Sequence, residues 1–331
     1  MSKNFVIKNN RQLIVGIGSA LVDILIHEDD NFIEKTGAVK GGMLLVDKPF
    51  IEDTLSQTRG EYSIVPGGSA CNTVVGVSKL GGQARFIGKC GRGKMGRFIK
   101  SSLKKHNVEP VLFTSSAPTG RVLSIITPDA QRSMFTYLGA SSETHPSELS
   151  DGCFHNAAIV HIEGYLLFNP DLILAALKSA KQVGARISLD LASFTVVEES
   201  KQLLENILSE DVDILMANED EALAFTGYKD EFKAIEVLST KAKIAVLKIG
   251  ERGSIVAHGG KILKIKPMGG TKALDTTGAG DLWASGFLFG LVNGYPLDKC
   301  GQLGSACGYE VCRVAGAAIP EKGWQRIKKL L

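Results

Sequence analysis

Apolar positions fall into two rhythms along this chain. From about residue 156 onward, short apolar runs at 157–162, 185–191, 212–216 and 244–249 alternate with longer stretches of helical spacing. The short runs are rich in Ile, Val and Leu and bounded by turn residues, which suits strands buried on both faces. The intervening segments 170–183, 198–209 and 232–240 read as helices. Gly184 stops the first, and Gly227 ends a further short helix after Asn218-Glu219-Asp220-Glu221. Residues 253–264 read as a hairpin. Strands alternating with helices predict a mostly parallel sheet covered on both sides.

The N-terminal half is less regular. Residues 13–18 and 84–90 read as buried strands. The turn Pro66-Gly67-Gly68 opens a helix with Ser69 as its N-cap, and Gly81-Gly82 ends it. Between these, residues 27–62 are polar and mixed, predicting a short helix at 30–35, a strand at 42–46 and a helix at 49–57. That stretch breaks the alternation and reads as an excursion from the main sheet. Residues 121–127 and 134–138 flank Pro128-Asp129-Ala130-Gln131 and read as a hairpin. Asp23 interrupts an apolar run just beyond the first strand. A carboxylate there is either an edge residue or a ligand group, since burying it is costly without partners. Open α/β sheets bind ligands beyond their strand ends, which favours the second.

Composition narrows the class rather than the function. The chain has 331 residues, 44% hydrophobic and 22% charged, with a net charge of +3. That charge is too mild for a nucleic-acid partner. No run of about 18 apolar residues predicts a membrane span, and residues 1–11 lack the apolar stretch of a signal peptide. The six cysteines, at 71, 90, 153, 300, 307 and 312, form no Cys-x-x-Cys pair. They read as reduced, buried thiols of a cytoplasmic protein.

Candidate chemistry concentrates at Asp275-Thr276-Thr277-Gly278-Ala279-Gly280-Asp281, a small-residue turn that runs into a helix. Glycines let backbone N–H groups approach a ligand. The first N–H groups of a helix lack internal partners and carry the positive end of its dipole, so the turn is a candidate anion site with Asp281 as an adjacent base. Two other glycine motifs carry less. Gly91-Arg92-Gly93-Lys94-Met95-Gly96 fits a dinucleotide fingerprint but has no acidic residue about 20 positions on. Residues 88–94 have phosphate-loop spacing, but Met95 stands where a Ser or Thr would hold magnesium. His161-Ile162-Glu163 matches half of a zinc-deaminase signature whose cysteine half is missing.

With these residues in view, the chain resembles the ribokinase-like (PfkB) carbohydrate and nucleoside kinases. The resemblance rests on Gly67-Gly68-Ser69-Ala70-Cys71-Asn72, Leu80-Gly81-Gly82, Phe86-Ile87-Gly88-Lys89-Cys90-Gly91 and Gly96 in the first half. Asn218-x-x-Glu221, Lys248-Ile249-Gly250-Glu251-Arg252-Gly253 and Asp275–Asp281 with Gly286 carry it in the second. It spans residues 13–320 or so. It implies one ribokinase-like kinase domain over 1–331, a three-layer α/β/α sandwich with a mostly parallel central sheet. A small β-rich lid would be inserted at approximately 20–65 and 118–140. By the same resemblance, Asp281 is the base and Gly278, Ala279 and Gly280 stabilise the transferring phosphoryl group. Asp23, Gly67, Gly68 and Asn72 bind the acceptor. Asn218, Lys248, Gly250 and Gly253 join Gly278 and Gly280 in binding ATP, and Glu221 with Asn218 positions Mg2+ through water. Asp275, Thr277 and Gly316 resemble a monovalent-cation loop, with K+ as the implied ion. The sequence departs from the family pattern at Gly93, where many members have Asp.

The run Thr119-Gly120, Thr127-Pro128-Asp129, Arg132-Ser133-Met134 and Leu138-Gly139-Ala140 is similar to the lid hairpin of adenosine kinases, with Arg132 closing over the phosphates. The resemblance therefore implies phosphorylation of a primary hydroxyl of a sugar or nucleoside, adenosine first. A free sugar such as ribose or fructose is the alternative, and a non-catalytic sensor on the same fold the competing class. Phe135, Tyr137, Tyr165 and Phe168 are either core residues or a stacking face for a purine. Both a monomer and a homodimer paired through the lid are compatible with the pattern.

Overall fold

Two sheets carry the molecule. The computed structural model describes residues 7, 11–37, 40–58, 60–129, 131–270 and 273–331, with the backbone alone at 209. Its strands in chain order are β1 (Leu13–Ile17), β2 (Leu21–His27), β3 (Met43–Leu45), β4 (Ser63–Gly67), β5 (Ala84–Gly91), β6 (Val108–Ser115) and β7 (Thr119–Ile126). They continue with β8 (Arg132–Gly139), β9 (Ala157–Glu163), β10 (Arg186–Asp190), β11 (Ile214–Asn218), β12 (Ile244–Lys248), β13 (Ser254–His258) and β14 (Lys261–Ile265). The larger sheet has the order β14-β13-β12-β11-β10-β9-β1-β5-β6. It is parallel from β6 to β12, and β13 and β14 extend it antiparallel. Both faces are covered. Val15 and Ile17 of β1 enter one apolar core and Ile14 the other, as strand alternation requires.

The smaller sheet, β3-β8-β7-β2-β4, is the expected lid. One face packs on the helices Asp30–Thr36 and Lys48–Gln57, enclosing Ile24, Ile26, Ile33, Ile51, Leu123, Ile125 and Phe135. The other face, with Leu21, Asp23, Val122, Met134, Thr136 and Leu138, looks onto a cleft between the sheets. The period of two along β2, β7 and β8 thus assigns alternate residues to lid core and cleft.

Several sequence expectations need correction. Asp23 does not follow a strand; it lies within β2, paired with Val65 and Val122. Strands β4 and β6 went unread because each contains a proline, Pro66 or Pro110. Both are edge strands, where a missing N–H is tolerated. The helix expected at 198–209 is two helices, Phe194–Glu199 and Lys201–Glu210. The turn residue Ala130 and residues 1–6 and 8–10 of the N-terminal segment lie outside the described residues. Cys71, Cys90, Cys153, Cys300 and Cys307 are buried free thiols, while Cys312 is half-buried. Among the described residues no helix is long and apolar enough to cross a membrane.

The helix Ala279–Val292 is buried on all sides from Leu282 onward, which its continuous apolar run requires. Small residues set its distance from its neighbours. A Cβ on Gly286 would stand 2.5 Å from the Leu303 carbonyl of the helix Leu297–Val311. A Cβ on Gly76, in the helix Ser69–Lys79, would stand 2.4 Å from Ser285 Oγ and 2.8 Å from Leu282 Cδ1. Gly76 shares a helical face with Ser69 and Asn72, so this contact sets how closely those two side chains approach Asp281. We expect Gly76→Ala to destabilise the protein by about 1–3 kcal/mol through overpacking, read by urea denaturation; an unchanged midpoint would contradict this packing.

Candidate active site

Five neighbouring parallel strands end on one side of the larger sheet, and each delivers a polar group there. Ser19 follows β1, Glu163 ends β9, Asp190 ends β10, Asn218 ends β11 and Lys248 ends β12. With the lid face and the Asp275–Asp281 turn they line a cleft of about 1220 Å³. Pockets for one small molecule usually have roughly 300–1,000 Å³, so this cleft exceeds the single-ligand range.

Asp281 sits where two helix N-termini meet. Gly278, in the left-handed conformation at φ 73°, caps its helix, and a Cβ there would lie 2.6 Å from Ala317 Cβ. Across the cleft floor, Gly68 at φ 99° opens the helix Ser69–Lys79. Ser69 is therefore not the N-cap expected from sequence. Its hydroxyl donates instead to Asp281 Oδ1 at 2.7 Å, and Asn72 Nδ2 donates to Asp281 Oδ2 at 2.9 Å. Thr73 Oγ1 donates to the Asp281 carbonyl at 3.1 Å. Burial raises the Asp281 pKa above the usual aspartate value, and the Asn72 and Ser69 bonds pull it partly back.

The backbone ahead of Asp281 is arranged for an anion. Ala279 N–H donates to the Thr276 carbonyl at 3.1 Å. The N–H groups of Gly278 and Gly280 make no backbone hydrogen bond among the described residues. A Cβ on Gly280 would lie 3.1 Å from Lys248 Nζ, so the ammonium stands beside this amide. Beneath the turn, Asp275 is fully buried. Its Oδ1 accepts from Thr277 N–H at 2.8 Å and Thr277 Oγ1 at 2.6 Å, and its Oδ2 accepts from Gly316 N–H at 2.6 Å. The three residues expected to form a cation loop do come together, behind the cleft rather than in it.

The side formed by β10, β11 and β12 is acidic with a half-buried cation, Lys248. Asn218 caps the helix Glu219–Thr226 in a reciprocal arrangement with Glu221. Glu221 Oε2 accepts from Asn218 N–H at 2.7 Å and Oε1 from Asn218 Nδ2 at 2.8 Å. Burial raises the Glu221 pKa against the pull of Lys248. Lys248 Nζ donates to Asp190 Oδ2 at 2.7 Å. Burial works against its charge, but Asp190 and Glu221 outweigh that and raise its pKa. Gly250 and Gly253 line the same side, both at positive φ. Among the described residues, no group of three or more His, Cys, Asp or Glu side chains is arranged to hold a metal ion on its own.

The opposite side faces the lid. Asp23 is 4% exposed and is pushed up to about 6, mainly by burial, against the pull of Arg132. Gly67 makes room for it, since a Cβ there would lie 2.0 Å from Asp23 Oδ1. Glu163 accepts from Ser19 N–H at 2.7 Å and Ala70 N–H at 3.1 Å, and burial pushes it up to about 7. Arg132 lines the cleft at the start of β8. Of the four aromatic residues, Tyr165 and Phe168 line the cleft. Phe135 does not: it is in the lid core against Phe50, ring centroids 5.0 Å apart, with Tyr137 packed on the same core.

Three cleft residues escaped the sequence reading as site groups. Ser69 looked like a cap, and Asp190 simply ended an apolar strand. Glu163 stood in a discounted motif, whose His161 is buried and pushed down to about 4 by burial, its Nδ1 3.1 Å from Ser188 Oγ. Polar residues closing apolar strands were the available signal for Asp190 and Glu163.

The chain matches the model of the pfkB family carbohydrate kinases over residues 32–323. It is 31% identical to a probable fructokinase-5 of Arabidopsis thaliana over 307 residues, covering 85% of this chain and 93% of that protein. It is 27% identical to a 5-dehydro-2-deoxygluconokinase of Geobacillus thermodenitrificans, covering 72% and 76% of the two chains. The crystal structure of an adenosine kinase from Sinorhizobium meliloti superposes with a TM-score of 0.92 at 31% identity, covering 97% of this chain and all of that one.

The raised carboxylates have a consequence for stability. The pKa of Glu163 rises from 4.5 to about 7 on folding, so the folded state binds the extra proton and its advantage is lost as pH rises through that window. Relative to Glu163→Gln, the ligand-free protein should lose about 3 kcal/mol between pH 4.5 and 7. Denaturation midpoints across pH would measure this, and a difference independent of pH would refute the burial argument.

Proposed function

The chain belongs to the pfkB family of carbohydrate kinases, and from that premise we propose that it transfers the γ-phosphoryl group of ATP to a primary hydroxyl of a sugar or nucleoside, adenosine favoured. The observation that carries the reading is Asp281, which stands between the lid-facing compartment and the Gly278 and Gly280 amides, which make no backbone hydrogen bond among the described residues. An acceptor bound against Asp23, Gly68 and Asn72 presents its hydroxyl to Asp281, which takes the proton. The oxygen forms a bond to phosphorus as the bond from phosphorus to ADP breaks. Negative charge on the transferring group is met by the Gly278 and Gly280 amides, the helix dipole and Lys248. A raised pKa makes Asp281 a stronger base than an ordinary aspartate.

Magnesium supplies charge neutralisation and orientation of the ATP phosphates when bound. The donor set fits an ion held mainly by water and phosphate: Glu221 has oxygen lone pairs beyond those used by Asn218, and Mg2+ normally keeps several waters. The fit for a potassium ion is poorer, because the Asp275 oxygens already accept three donors and the Thr277 hydroxyl proton is directed at Asp275.

Adenosine is favoured by the apolar lid lining of Leu21, Val122, Met134 and Leu138 opposite Tyr165 and Phe168, a suitable enclosure for a base beside hydroxyl-binding carboxylates. Likeness to the Sinorhizobium adenosine kinase supports the same choice, while the fructokinase relative supports a free sugar. Release of ADP should be measured with adenosine, ribose and fructose in the presence of Mg2+ and ATP. Adenosine should exceed the free sugars by at least about tenfold in kcat/KM. A free sugar ahead of adenosine would replace the substrate assignment, and silence with every acceptor would favour a sensor.

A further inference from the structure

The acceptor compartment carries a charge pattern that selects a chemical class. Asp23, Glu163 and Asp281 all turn into it. Among the described residues, the cations that line the cleft are Arg132, Lys248 and Arg252. Lys248 is bound to Asp190 at 2.7 Å, and Arg252 is paired with Glu219 and Glu231. Among the described residues, Arg132 is the one cleft cation without a salt bridge, and it faces Asp23 and Asp281.

A second observation concerns Asp23 itself. Although 4% exposed, its carboxylate accepts no hydrogen bond among the described residues. Gly67 leaves the space that its oxygens occupy, with Oδ1 2.0 Å from where a Cβ would be. A buried carboxylate without a donor is costly. Asp23 lines the cleft, so a ligand there that brings O–H or N–H donors relieves that cost. An ionised carboxylate only accepts hydrogen bonds, so a ligand rich in hydroxyl donors satisfies Asp23 and adds to the two donors that Asp281 already has. A ligand carboxylate or phosphate would add acceptors and like charge at low dielectric.

We propose that this compartment selects an uncharged, polyhydroxylated acceptor and rejects sugars bearing a carboxylate or phosphate. The inference rests on the phosphotransferase reading, in which the acceptor lies beside Asp281. It separates this chain by charge from enzymes that act on sugar acids, whichever neutral polyol it uses.

Two measurements on the full-length protein test it. In the first, kcat/KM is obtained from ADP release with Mg2+ and ATP for adenosine and fructose against fructose 6-phosphate and 5-dehydro-2-deoxygluconate. The better neutral acceptor should exceed both anions by at least about a hundredfold. Asp23→Asn should narrow that ratio by about tenfold. An anion that equals or exceeds the neutral acceptors, or a ratio unmoved by Asp23→Asn, overturns the proposal and leaves the kinase reading intact. In the second, thermal shift is recorded with each acceptor alone, which needs no turnover. Stabilisation by adenosine or fructose and not by the anions is expected. Stabilisation by an anion, or by no neutral acceptor, overturns it. If no acceptor supports ADP release, the kinase reading fails while the thermal shift still decides the charge preference.

Discussion

One carboxylate joins the two halves of the molecule. Asp281 begins a helix that is buried on all sides, and its two oxygens are held by Ser69 and Asn72 from the first turn of another helix. Both helices open on glycines in conformations that side chains avoid, Gly68 and Gly278. Both present N-terminal dipoles toward the same point. The approach depends on Gly76, which lets the helices touch almost backbone to side chain. Remove that closeness and the carboxylate loses its donors, the turn its support and the cleft its centre.

Burial tunes this centre. Desolvation raises the pKa values of Asp281, Asp23 and Glu163, and their shared negative charge adds to the effect on Asp23 and Glu163. The protein tolerates the arrangement because donors are supplied selectively: two side chains for Asp281, two backbone amides for Glu163. The opposite side contains a different solution, a half-buried Lys248 bound to the buried Asp190, beside a capping Glu221. A cleft with hydroxyl-seeking carboxylates on one flank and a cation beside the Gly280 amide on the other is suited to join a polyol to a phosphoryl group.

Much of the fold was legible because its signals are local. The strand–helix alternation after residue 156 and the lid hairpin follow from apolar periodicity, and the glycine turn at 278–280 from its composition. What escaped depends on distant contacts. Proline hid the edge strands β4 and β6, since only their place in the sheets makes proline acceptable there. Ser69 has the local signature of a cap, and only the packing of two helices more than two hundred positions apart turns its hydroxyl to Asp281. Asp23 was noticed as an anomaly, but its place within a lid strand depends on pairing with β4 and β7. Phe135 and Tyr165 are equally aromatic in sequence; strand parity sends one into the lid core, and the 3-10 helix Gly164–Phe168 beyond β9 places the other at the cleft.

The account turns on Asp281 as the base, and Asp281→Asn tests it most directly. Asparagine keeps the shape and a hydrogen-bonding oxygen but cannot take the proton, so single-turnover phosphoryl transfer should fall by about 10²–10⁴. Acceptor binding, measured by calorimetry, should be largely kept. A variant that retains transfer near the wild-type rate would contradict the account.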